Sequence, residues 1–110
     1  MSVNEERAKM RWRWHEFFQD WDLLLCPVAS SAAFFHDQQG ERPDRVIVVN
    51  GKPQCTMDQL FWAGMSSVVY LPSTVAPVGC TRSRLPVGVQ MIGPSMHDLR
   101  IIDFARLLTN

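Results

Sequence analysis

Two lysines, one tyrosine and three cysteines in 110 residues leave several kinds of chemistry short of material. Cys26, Cys55 and Cys80 are odd in number and lack C-x-x-C spacing, which argues against a disulfide framework or a zinc knuckle and for free thiols. No two of His15, His36 and His97 stand at i, i+3 or i, i+4, so no metal site is expected. No run approaches the ~18–20 apolar residues of a membrane span, and the opening MSVNEERAKMRWRW is polar where a secretory signal needs an apolar core. A cytoplasmic chain without a membrane partner is the expectation. Eleven basic residues offset eleven acidic ones, which leaves no field to attract nucleic acid. A G-x-S-x-G turn and a phosphate-binding glycine loop are both missing, so neither a nucleophile elbow nor a cofactor is expected.

What is present is an ordinary globular composition, 46% hydrophobic and 20% charged, enough for one domain. From Asn4 to Trp21 the apolar residues Met10, Trp14, Phe17, Phe18 and Trp21 recur at three- and four-residue steps, the mark of an amphipathic helix with an aromatic stripe. Residues 22–28, DLLLCPV, form a short apolar run closed by proline, as in strands covered on both faces of parallel or mixed sheets. Residues 29–44 show no period and read as a loop. Asn50-Gly51 between two β-rich runs predicts a hairpin with a type I′ turn, its second strand held to an edge by Pro53. Asp58 is placed to cap a helix running to Ser67, and residues 68–71 look extended. Leu85 to Gly93 reads as the last strand, with Val87, Val89 and Met91 on one face and Gly88, Gln90 and Ile92 on the other. A closing helix would bury Leu99, Ile102, Phe104, Ala105, Leu107 and Leu108. The alternation predicts an α/β class: a partial mixed sheet with flanking helices.

The pieces DLLLCPVA, VIVVNGKP with MDQLFWAG, LPSTVAPVG, LPVGVQMIGP and DLRIIDFARLL, in that order, resemble the carboxy-terminal portion of amidase signature family enzymes, the closing part of that fold. The resemblance implies a serine hydrolase that cleaves a carboxamide to an acid plus ammonia or amine, through a nucleophilic serine, a bridging serine and a neutral lysine. It also implies that these three groups lie upstream of the matched region. Lys9 falls on the polar side of the first helix, Lys52 follows the hairpin turn, and neither Ser30-Ser31 nor Ser66-Ser67 lies in a glycine-rich loop, so no catalytic residue is assigned. A triad drawn from Ser66, His97 and Asp98 or Asp103 has no supporting motif.

By order along the chain, the resemblance puts Trp62, Met65 and Ser66 on the helix that faces the acyl-binding cleft, although SSVVYLPS stands where T-G-x-P-A wording is usual. The expectation is therefore that residues 1–110 form a single carboxy-terminal segment without the upstream catalytic core, inactive alone. Its partner would be the missing half or a second copy, and a small amide would be substrate only of the complete enzyme. The alternative is a non-catalytic α/β module that self-associates or binds a partner through exposed apolar surface.

Overall fold

The computed structural model describes residues 2–109. The first helix, α1 (Val3–Asp20), starts at a capping box: the Glu5 N–H donates to Ser2 Oγ at 3.3 Å, and the Glu5 carboxylate accepts from the Ser2 N–H at 2.6 Å. No residue of α1 is buried. Its aromatic stripe packs along the helix itself, Trp14 stacking on Phe18 at 5.7 Å and Phe17 on Trp21 at 6.4 Å between ring centroids. What ties α1 to the rest is a clasp of arginines. Arg7 Nε donates to the Val68 carbonyl at 3.0 Å and Arg7 Nη1 to the Tyr70 hydroxyl at 3.0 Å, while the guanidinium groups of Arg7 and Arg11 lie 5.1 and 5.4 Å from the centre of the Tyr70 ring.

A three-stranded sheet forms the middle layer, in the order β1 (Leu24–Pro27), β5 (Pro86–Ile92), β4 (Ser73–Cys80), with both pairings antiparallel. The α/β class stands. The parallel neighbours that a mixed sheet would require are absent among the described residues, because β4 turns directly back into β5 through Thr81–Arg84 and β1 lies antiparallel on the far side. The hairpin β2 (Val46–Val49) and β3 (Lys52–Cys55) forms a separate two-stranded sheet. Its turn residues Asn50 and Gly51 sit at φ of 52° and 78°, the conformation Asn-Gly accepts most readily.

Two helices cover opposite faces of the three-stranded sheet. Cross-strand partners share a face, so Ala76, Val89 and Met91 look one way and Cys26, Val75 and Gln90 the other. On the first face lies α3 (Asp98–Thr109), whose Ile101 joins Ala76 and Met91 in the core, with Leu23, Val89, Phe104 and Ala105 packed around them. Gly93 permits this approach: a Cβ there would stand 2.6 Å from Ile101 Cγ2. The closing helix thus buries Ile101, Phe104 and Ala105, while Leu99 and Leu107, expected inside, are exposed at 76% and 71%. On the second face lies α2 (Leu60–Ser67), preceded by a 3-10 turn, Thr56–Gln59. Asp58 falls inside that turn and makes no side-chain cap, which corrects the expected helix start.

Residues 68–71 are not extended. Val68 is helical, Tyr70 has φ of 58°, and the Val69 and Leu71 N–H groups both donate to the Ser66 carbonyl, so the chain turns a tight corner before β4. Val69, inside this corner, is buried together with Ile92, Met91 and Ile101, and each such side chain contributes about 1.5–3 kcal/mol by leaving water. Pro77 sits at a register shift in β4, where a missing N–H does no harm.

The molecule is flat, 45 × 42 × 20 Å, with a radius of gyration of 16.3 Å where a compact chain of this length has about 13 Å. It exposes 8494 Å², against about 6,200 Å² for a compact monomer of its mass. β1, expected to be covered on both faces, leaves Leu25 half exposed.

Candidate functional site

The second face of the sheet, where α2 crosses β5, carries the polar organisation of the molecule. α2 is short and has no side-chain cap at its start, so its place depends on outside contacts. Two glutamine amides supply them. Gln59, at the end of the 3-10 turn, accepts from the Ser30 N–H at 2.7 Å and donates to Ser31 Oγ at 3.1 Å, tying the loop after β1 to the start of α2. Gln90, in the middle of β5, is buried; its Nε2 donates to the Trp62 carbonyl at 3.2 Å and to the Pro27 carbonyl and Cys26 Sγ at 3.3 Å each, while its Oε1 accepts from Ser73 Oγ at 2.7 Å.

Of the residues singled out from the sequence, Trp62 and Met65 are half-buried on α2 and Ser66 is buried on the same helix. The Trp62 ring meets the exposed Phe61 ring edge-on at 5.1 Å. Ser66 uses its carbonyl to close the Val69–Leu71 corner. His97 is exposed in the turn before α3, and Ser66 is buried in α2, so the two triad candidates occupy quite different surroundings. Lys9 pairs with Glu6 at 3.5 Å on the exposed side of α1. Among the described residues no cluster of three or more His, Cys, Asp or Glu could hold a metal ion. No helix among them is long and apolar enough to cross a membrane.

Beside this latch runs a groove of about 430 Å³, lined by small residues of the loop after β1, Ala29 to Ala33, and by Val75 and Gly88. Gly88 keeps it open and the strands close: a Cβ there would lie 2.9 Å from Val75 Cγ1. Ser30 lines the groove, and its hydroxyl is buried without a hydrogen-bond partner. Cys26, at the other end of the latch, is a buried thiol. Desolvation pushes its pKa up from the ordinary 9.0, and the hydrogen bond from Gln90 opposes that rise, so it is a neutral packing group and not a nucleophile.

Sequence reasoning locates α2 but not what holds it. Neither Gln59 nor Gln90 belongs to a recognisable motif, although one signal is available: an amide in the middle of the apolar strand PVGVQMI must find buried partners or stay unmade.

These features define an α/β protein whose sheet carries a helix on each face and whose polar contacts hold a helix in place without supplying reactive groups. The amidase family model matches residues 2–102, nearly the whole chain, and the chain belongs to the amidase family. It is 30% identical over 100 residues to the A-chain component of the glutamyl-tRNA(Gln) amidotransferase of Treponema denticola, a match covering 91% of this chain and 19% of that protein. The protein of the same name from Chlamydia pneumoniae is 30% identical over 95 residues, 86% of this chain and 17% of the relative. The chain thus spans just under a fifth of the length of these relatives.

Proposed function

We propose that this chain is the carboxy-terminal segment of an amidase, a single structural unit that closes the fold of an enzyme hydrolysing a carboxamide to an acid and ammonia or amine. The observation that supports the reading most is the family match along residues 2–102 in a molecule that exposes far more surface than a self-contained globule of its mass. In this reading the reactive serine, the bridging serine and the lysine belong to the part of the enzyme outside this chain. A lysine kept neutral draws a proton through the bridging serine, and the nucleophilic oxygen adds to the amide carbon to give an acyl-enzyme that water then resolves. The segment contributes a wall. Trp62 and Met65 on α2, with Ser66 behind them, face the acyl group of the substrate and exclude water from it, and no cofactor takes part. The relatives carry the name of one component of a larger enzyme, which suits a chain that works against other protein.

The test is a chimera in which residues 2–102 replace the matching segment of the Treponema denticola relative, compared with the 110-residue chain alone. The chimera is expected to release ammonia from a small amide and the chain alone is not. Hydrolysis by the isolated chain that disappears in Ser66→Ala would refute the assignment of the chemistry to other residues.

The exposed apolar side chains of α1, α3 and the sheet favour a second reading, in which the chain acts without catalysis by associating with itself or with a partner in a cytoplasmic setting. Activity of the chimera separates the two, since a purely associating module has no reason to support turnover.

A further inference from the structure

We propose that Gln90 is a positioning residue: its buried amide latches α2 onto the three-stranded sheet, so that the last strand, through one side chain, sets where Trp62 stands. The role as it bears on substrate rests on the reading of α2 as a substrate-facing helix. The latch itself rests on geometry alone.

Four groups from three separate pieces of chain meet on this amide: Cys26 and Pro27 at the end of β1, Trp62 in α2 and Ser73 at the start of β4. The orientation of the amide is forced by chemistry. The Pro27 and Trp62 carbonyls can only accept, so the NH2 end must face them, and the oxygen is left for the Ser73 hydroxyl, which can donate. No other common side chain of this length offers two donors and an acceptor without charge. Gln90 is 5% exposed, so a bond lost here is not replaced by water at no cost. The Trp62 carbonyl belongs to the first turn of an eight-residue helix that is too short to be stable by itself, so its anchoring decides the pose of the whole element.

The experiment is amide hydrogen exchange together with the indole Nε1–H resonances of the 110-residue chain, with the β4–β5 ladder as internal reference. Gln90→Glu keeps the shape, but its carboxylate faces two carbonyl oxygens and has nothing to donate. At pH 7 it is expected to lower protection of residues 60–67 about tenfold or more and to move or double the Trp62 indole signal, leaving the ladder and the indoles of Trp12, Trp14 and Trp21 unchanged. Acidification, which protonates the introduced carboxylate and returns one donor, should recover part of the α2 protection factor, whereas the wild-type factor stays level. Ser73→Ala, which removes only the partner of the amide oxygen, should leave α2 in place. Should Gln90→Glu fail to fold, Gln90→Met decides the matter, because it keeps the volume without the charge and is expected to loosen α2 in the same selective way. Unchanged α2 protection in either folded variant, or loosening that is uniform over α2 and the ladder, overturns the proposal. The readout needs no substrate, so an inactive chimera and a failed latch are separate results.

Discussion

Gly64 and Gly93 show how differently two glycines can be constrained. Gly64 lies in α2 with open space around the position of a Cβ, so Gly64→Ala is expected to stabilise the chain by about 0.5–1 kcal/mol, read as a raised urea midpoint with unchanged slope. Gly93 has Ile101 Cγ2 where its Cβ would go, and Gly93→Ala should lower stability by about 1–3 kcal/mol in the same titration by pushing α3 off the sheet. Cys26 makes stability depend on pH at the alkaline end. Its thiol titrates higher folded than unfolded, so its stabilising contribution is complete below the ordinary 9.0 and is lost as pH rises through the raised value. The wild-type urea midpoint should therefore fall over that window more steeply than that of Cys26→Ala, and iodoacetamide should modify exposed Cys80 well before Cys26.

At the scale of elements, α1 depends on its arginine clasp more than on any packed face. Arg7→Ala removes the bonds to the Val68 carbonyl and the Tyr70 hydroxyl and one of two cations over the Tyr70 ring. The pair is exposed, so the cost should be about 1 kcal/mol, seen as faster exchange in residues 3–20 while the β4–β5 ladder stays protected. The elements legible in the sequence are those set by near neighbours. The hairpin follows from Asn50-Gly51, whose backbone preference acts locally, and α1 follows from a period repeated along its whole length. The corner at residues 68–71 reads as extended because Val68, Val69 and Tyr70 favour strands; what bends it is Tyr70 at positive φ beneath two arginines from the far end of the chain. The inward face of α3 is obscured for a similar reason. Leucines lie on more than one side of the helix, and the choice of Ile101 over Leu99 comes from the gap at Gly93. The candidate site divides in the same way: Trp62 and Met65 can be placed by order, but the Gln59 and Gln90 bonds join residues distant along the chain, which no local pattern records.

The whole molecule is a slab with apolar residues on its outer surfaces, including Trp12 and Trp21 on α1, Leu99 and Leu107 on α3, and Val46 and Val48 on the hairpin. Such a surface should bring copies together. Sedimentation velocity is expected to show a weight-average mass that rises with concentration, and a single monomeric boundary at every concentration would count against the exposed faces as association surfaces. A slab only 20 Å thick also has a calorimetric consequence. Melting it uncovers little hydrocarbon that was not already wet. Its unfolding should therefore carry a heat-capacity increment below the ordinary ~12–15 cal/mol/K per residue, and the endotherm should be shallow and broad. Seating the chain against the rest of an amidase would restore both the increment and the sharpness, so the width of the melting peak reports whether this surface has found its cover.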